Sequence, residues 1–281
     1  MKVLVTGGSG YLGTHIKHYF QADDLSRRSG LDVLDENAVK MVRDYDLVIH
    51  MAAELDKSAD GADNVFKTNV EGTINVLREM RDGAAFIFAS TKDVYGPFPD
   101  NYREVPESCP TLFAGQAALE WSKLIAERYV EFYSNTGKFR SCIFRMSTVF
   151  APLSEGNTPN FVGHYVDCIN KGIPFPLASD GKPVRDLLHV DDFSNACAAF
   201  GESIIKRGLY NIGGGSANAV SLSSLVETLE DVSGLQAVID PKSEMPDPRP
   251  LNYVTDLSFI SHELGWSPRI GLSEGLKTLF G

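Results

Sequence analysis

Cysteine is scarce, with four in 281 residues. Cys109, Cys142, Cys168 and Cys197 are scattered and include no C-x-x-C pair, which argues against a metal site and for reduced thiols. Basic residues are also in deficit, 26 against 37 acidic, for a net charge of -11. That balance argues against nonspecific nucleic-acid binding and against docking on anionic membranes. It does not exclude a phosphate-bearing ligand, for which a few local arginines and helix termini suffice. No apolar run reaches membrane-spanning length, and internal repeats and low-complexity tracts are lacking. The chain opens directly on an apolar strand, so no signal peptide is expected and the expected compartment is cytoplasmic.

What is present is concentrated at the start, in MKVLVTGGSGYLG. Val3, Leu4 and Val5 read as a buried parallel strand. Thr6 leads into Gly7, Gly8, Ser9 and Gly10, and Gly13 falls one turn into an apolar-periodic segment. Strand, glycine-rich turn and helix in that order form the context in which this spacing binds a dinucleotide. Gly7 would permit the tight turn, Gly10 the approach of a pyrophosphate, and Gly13 close packing of helix and strand. The helix N-terminus would add amides and a positive dipole for the phosphates.

Strand and helix patterns then alternate. Helices are expected over Tyr11–Gln21, Asp35–Arg43 (begun by Asp35), Asn64–Arg81 and Glu120–Tyr133. Strands are expected over Asp23–Ser26, Asp46–His50, Ala85–Ala89 and Phe139–Met146. This order predicts an α/β fold, a Rossmann-type doubly wound parallel sheet with ligands beyond the carboxyl ends of the strands. After about residue 150 prolines and glycines multiply, and Asp240–Pro250 reads as irregular. The expected division is a dinucleotide-binding domain over 1–150, to which roughly 185–215 contributes. A smaller C-terminal substrate-binding lobe takes most of 151–281.

Eight segments, in order, resemble the extended short-chain dehydrogenase/reductase family, and within it the nucleotide-sugar epimerases, dehydratases and 4-keto reductases. They are TGGSGYLG at 6–13, HMAA at 50–53, NVEGT at 69–73, STKDVYG at 90–96, SKLIAE at 122–127, RDLLHVDD at 185–192, YNIGGG at 210–215 and LGWSP at 264–268. The resemblance implies an NAD(P)-dependent enzyme acting on a nucleoside-diphosphate sugar by hydride transfer at a sugar carbon. Gly7, Gly10, Tyr11, Leu12 and Gly13 would hold the pyrophosphate, with Asp32 and Val33 near the adenine. Ala52, Ala53 and Asn69 would border the cofactor. Thr91 takes the place of the catalytic Ser/Thr and Lys123 that of the lysine that binds the nicotinamide ribose. Asn160, Arg185 and Arg249 would bind the substrate, since an arginine fork matches phosphate oxygens. His50 reads as a packed core histidine, Tyr95 as structural and Asn211 as a turn residue. A homodimer through the 120–133 helix is a further implication.

One position departs from the family. The tyrosine of its Y-x-x-x-K motif is Leu119 here, in ALEWSK at 118–123. Leucine cannot exchange a proton, and losing a general base costs about 10²–10⁴ in rate. Asp93, two residues after Thr91, is the candidate stand-in. Glu120 adjoins the vacancy but on a helix projects roughly 100° away. Two other readings stay open, a dinucleotide-binding protein without redox catalysis and a reductase of another small carbonyl compound. An arginine after the second strand accommodates a 2′-phosphate where an acid would bind the ribose. Arg27, or Arg28, falls there, so NADP is favoured over NAD. No metal is expected.

Overall fold

The computed structural model describes residues 1–154, 156–240 and 250–280. Its centre is a six-stranded parallel sheet in the order β2-β1-β3-β4-β5-β8. The strands are β1 (Val3–Thr6), β2 (Asp23–Leu25), β3 (Leu47–His50), β4 (Ala85–Thr91), β5 (Arg140–Met146) and β8 (Arg207–Ile212). All four residues of β1 and of β3 are buried, as a sheet covered on both faces requires. The pleat sorts the side chains into two cores. Val3, Val5, Ile49 and Ile87 pack with Ile16 of α1 (Tyr11–Phe20) and Phe193 of α6 (Val190–Glu202). Leu4, Val48, Phe86 and Phe88 pack on the other side with Val76 of α3 (Gly72–Arg78) and Ala126 and Val130 of α4 (Ala118–Thr136). The sheet is therefore doubly wound, as the alternation of patterns predicts.

The chain leaves β1 toward β2 on one side and, from β3 onward, adds strands on the other. The order reverses between β1 and β3, the point where such sheets open a ligand crevice. The helix expected at 64–81 forms as α2 (Ala62–Phe66), a π turn (Lys67–Glu71) and α3. The helix expected from Asp35 does not form. A 3₁₀ helix covers Ala38–Asp44 instead, and Asp35 caps the Asn37 amide ahead of it. The buried residues there are Val39 and Val42, spaced by three, which a 3₁₀ period aligns.

The remaining elements build a smaller layer. A second sheet orders as β6-β7-β9, with β6 (Thr148–Phe150), β7 (Val184–His189) and β9 (Ala219–Ser221). Of the 185–215 stretch, β8 enters the main sheet and β7 this small one. Around it stand α5 (Phe161–Lys171), α7 (Leu222–Ser233) and α9 (Leu272–Lys277), while α8 (Ser258–Leu264) packs its Ile260 into the core of the main sheet beside β8. Phe150, Tyr165, Phe175, Leu225 and Leu276 form its core. The irregular 240–250 stretch lies almost wholly outside the described residues. All four cysteines are free and buried. Among the described residues no helix is long and apolar enough to cross a membrane.

A buried polar network ties the carboxyl ends of the strands together. Glu127 of α4 pairs with Arg145 of β5 at 2.6 Å and accepts from the Ser90 hydroxyl of β4 at 2.5 Å. Arg145 also donates to the Tyr95 hydroxyl at 3.0 Å, which donates on to Asn211 of β8 at 2.7 Å. Tyr95 is structural, as expected, and Asn211 belongs to a strand and not to a turn. Arg145→Met leaves the fully buried Glu127 without its cation, an arrangement that costs about 3–5 kcal/mol. The expected result is a urea midpoint lowered accordingly, with the slope of the transition unchanged.

Candidate active site

A cleft of about 640 Å³ opens at the strand-order reversal. One end is the glycine turn. Gly7 has φ +69°, and a Cβ there would meet the Ala52 backbone at 2.8 Å. A Cβ on Gly13 would sit 2.1 Å from the Gly7 carbonyl oxygen, so the first turn of α1 rests directly on the glycine turn. Gly7, Gly10, Tyr11, Leu12 and Gly13 all line the cleft, facing the positive end of α1 into it. This is the shape that a pyrophosphate needs, and only glycine leaves the space.

The next stretch of wall comes from Ser26, Arg27, Arg28, Leu31, Asp32 and Val33. Asp32 also caps the Leu34 amide at 3.0 Å. Asp24 is not among the lining residues. It lies under the turn, accepting from the Ser9 hydroxyl at 2.5 Å and the Ser26 hydroxyl at 3.0 Å. Ala52 and Ala53 line the opposite wall. Asn69 does not, although its neighbour Thr68 does. Its amide is spent inside, donating to the Ser122 hydroxyl and the Glu54 carbonyl and accepting from the Glu54 amide.

At the far end stand Thr91, Leu119 and Lys123. The Thr91 hydroxyl accepts from the Asp93 amide at 3.1 Å, which leaves its own O–H to donate. Leu119 and Lys123, four apart, share one face of α4. The Lys123 ammonium donates to the Ala89 carbonyl at 2.8 Å and lies 4.9 Å from the Phe88 ring centre. Glu127, its i,i+4 neighbour on the helix, is hydrogen-bonded to Arg145 and Ser90. Burial brings the Lys123 ammonium down to about 8, against a smaller opposing pull from Glu127. Burial, with the Lys123 charge second, brings His50 down to about 3. His50 sits between the Thr6 and Thr73 hydroxyls at 2.8 and 3.0 Å, packed as expected.

Asp93 stands outside the cleft lining, bracketed by Lys92 at 2.5 Å and Lys57 at 3.5 Å. Burial opposes its ionisation, but the two ammonium groups outweigh that and hold it well below the usual carboxylate range. Lys57 also pairs with Glu120 at 2.7 Å. Sequence reasoning missed this bridge because Lys57 lies in a loop without periodicity. Glu120 is buried, and its Oε2 has no hydrogen-bond partner among the described residues.

Asn160 lines the cleft and caps α5, and its side-chain amide donates to the Val149 carbonyl at 2.7 Å. Arg185 does not reach the cleft. Its guanidinium donates to the carbonyls of Val184, Leu251 and Pro250 at 2.7, 2.7 and 3.0 Å, fastening the 250–251 segment to β7. Arg249 lies outside the described residues. Among the described residues no cluster of three or more metal-ligating side chains occurs.

Fold and cleft define a Rossmann-type α/β protein of the doubly wound kind. The profile of the NAD dependent epimerase/dehydratase family matches residues 3–213, and the chain belongs to that family. Its relatives include the CDP-paratose 2-epimerase of Salmonella typhi, 26% identical over 100% of this chain and 98% of the relative. The dTDP-glucose 4,6-dehydratase of Neisseria meningitidis is 26% identical over 98% of this chain and 91% of its own. Among solved structures, UDP-glucuronic acid 4-epimerase from Bacillus cereus, in complex with UDP-glucuronic acid and NAD, has the same fold. Its TM-score is 0.84 at 23% identity, over 100% of this chain and 98% of that one. RMD from Pseudomonas aeruginosa, complexed with NADPH, superposes at a TM-score of 0.82 with 20% identity, over 100% and 98% of the chains.

The Lys123 displacement has a testable sign. Its folded value of about 8 lies below the ordinary 10.5, so the folded state binds fewer protons between those pH values. Stability therefore rises with pH across that window. Lys123→Met removes the slope and is expected to be more stable than the parent at pH 7, by up to roughly 3 kcal/mol. Paired denaturation curves at pH 7, 8.5 and 10 measure it.

Proposed function

We propose that this protein is an NAD(P)-dependent enzyme that acts on a nucleoside-diphosphate sugar by hydride transfer at a sugar carbon. The observation that carries the reading is one cleft with the glycine turn at one end and Thr91 and Lys123 at the other, in a chain of this family. The nucleotide-sugar substrates of the relatives support the substrate class. The nicotinamide cofactor supplies hydride exchange when bound, and the chain's own residues do the rest. The glycine turn and the α1 terminus receive the pyrophosphate. Lys123, with one N–H on Ala89, keeps donors for the ribose hydroxyls. Thr91 donates to the reacting sugar oxygen.

NADP is the preferred dinucleotide in this reading. Asp24, the acid nearest the end of β2, is turned under the glycine turn. Ser26, Arg27 and Arg28 border the cleft there instead, and an arginine suits a 2′-phosphate. Arg27 is the available fork, with a 62% exposed side chain and one 3.3 Å contact to Glu54. Leu119 has no proton to give, so another group must transfer it. Asp93, held ionised by two lysines, is a weak base and a poor acid near neutral pH. Glu120 also stands outside the cleft lining, but with a buried unpaired oxygen and one ammonium contact it is the less engaged of the two carboxylates.

Leu119 in the cleft also favours a second reading, a dinucleotide-binding protein without redox turnover. Denaturing the purified protein and identifying released dinucleotide by mass spectrometry comes first. Thermal shift against NAD, NADP and UDP-, dTDP- and GDP-sugars follows. Stabilisation by NADP and by one sugar nucleotide is expected, with reduction or oxidation of the dinucleotide at 340 nm. Dinucleotide binding with no sugar nucleotide response supports the second reading. Leu119→Tyr is expected to raise the redox rate by at least about tenfold. Glu120→Gln should lower it more than Asp93→Asn does, and the reverse order returns the role to Asp93.

A further inference from the structure

Arg27 and Arg28 are adjacent, but their surroundings give them different work. Among the described residues Arg27 hydrogen-bonds only Glu54. Arg28 spans the mouth of the cleft. One terminal nitrogen donates to the Ser9 carbonyl on the glycine turn at 3.0 Å and to the Asn157 side-chain oxygen at 2.6 Å. The other donates to the Gly156 carbonyl at 2.6 Å. Gly156 and Asn157 belong to the 151–160 segment, which leaves β6 and enters α5. Its flanks are already fixed. The Tyr11 hydroxyl donates to the Ala151 carbonyl at 2.8 Å and accepts from the Ala151 amide at 2.9 Å, and His15 contacts the Pro152 carbonyl at 2.9 Å. Asn160 anchors the other flank at Val149. Between these anchors, the middle of the segment meets the glycine turn through Arg28. Thr158, Pro159 and Asn160 line the same cleft as the glycines, so the tie joins two walls of one cavity.

We propose that Arg28 is a positioning residue that retains the dinucleotide by fastening the Gly156 carbonyl and the Asn157 side chain to the glycine turn across the cleft mouth. This rests on the dinucleotide reading above. Three hydrogen bonds from one guanidinium, all to oxygen acceptors, hold its planar fork in the bridging orientation and leave it unsuited to turn toward a 2′-phosphate. Retention by such a bridge is blind to that phosphate. It slows release of NADPH and NADH alike, whereas a ligand of the 2′-phosphate acts on NADPH alone. Arg28 thus couples the wall carrying the glycines to the wall from which the substrate lobe begins.

The test measures release rates of NADPH and NADH by stopped-flow fluorescence in the parent protein and in Arg28→Ala, Asn157→Ala, the double variant and Arg27→Ala. Arg28→Ala is expected to speed release of both dinucleotides by a similar factor, roughly tenfold for the charge-assisted bonds lost. Asn157→Ala should reproduce part of this, with the double variant less than additive. Arg27→Ala should affect NADPH only. Amide exchange without any dinucleotide gives a second readout: the amides of 156–158 and of Asn160 should exchange faster in Arg28→Ala than in the parent. A loss confined to NADPH overturns the proposal and makes Arg28 a phosphate ligand. Unchanged release, or unchanged exchange at those amides, also overturns it. A parent protein that binds neither dinucleotide overturns the cofactor reading and the retention role with it, while the exchange comparison still decides whether the tie exists.

Discussion

The first turn of α1 lies on the carbonyl of Gly7 with no room for a side chain between them, and the rest of the site is arranged around that contact. A Cβ at Gly13 would be 2.1 Å from the Gly7 oxygen. Because helix and turn touch, the helix axis points its positive end into the space between β1 and β3. That space exists because the strand order reverses there. The two facts are separate in origin, one steric and one topological, and the cleft needs both.

The far end depends on a different constraint. Thr91 and Lys123 come from β4 and α4, and the Glu127, Arg145 and Ser90 group buried between α4, β4 and β5 fixes their relative position. With Glu127 hydrogen-bonded to Arg145 and Ser90, Lys123 is left with a backbone carbonyl and an aromatic face as its direct partners. A buried ammonium without a hydrogen-bonded counter-ion is a less stable arrangement than an ion pair. It also leaves a donor turned toward whatever occupies the cleft. The polar network thus holds the sheet together and keeps the lysine available.

Charged residues near the cleft divide by what they are bonded to. Arg185 is consumed by three carbonyls and behaves as a fastening of the chain. Asp93 is consumed by two lysines. Arg28 is consumed by both walls of the cleft, while Arg27 and Glu120 keep capacity to spare. Residue type does not separate these cases, since arginines and carboxylates fall on both sides of the division. The separation comes from the carbonyls and ammonium groups that the fold brings to each side chain.

By itself the sequence determined the class of fold, the glycine turn and the helix face that carries Leu119 and Lys123. Those features are written in short-range patterns, namely apolar runs for buried strands, glycines where a side chain cannot fit, and a periodic helix carrying Leu119 and Lys123 on one face. It also carried the absence of a phenol at position 119, which no folding can supply. The tertiary structure alone decided that Ala38–Asp44 takes a 3₁₀ form and that Asn69 faces inward. It alone set the partners of Arg185 and Asp93, joined Lys57 to Glu120, and spanned the cleft with Arg28. Most of these bring in a group distant in the chain, such as Lys57 for Asp93, Leu251 for Arg185 and Gly156 for Arg28, which no local pattern encodes. Hydrogen-bond partners of long polar side chains are chosen by proximity in the folded state, and proximity is what the chain acquires last.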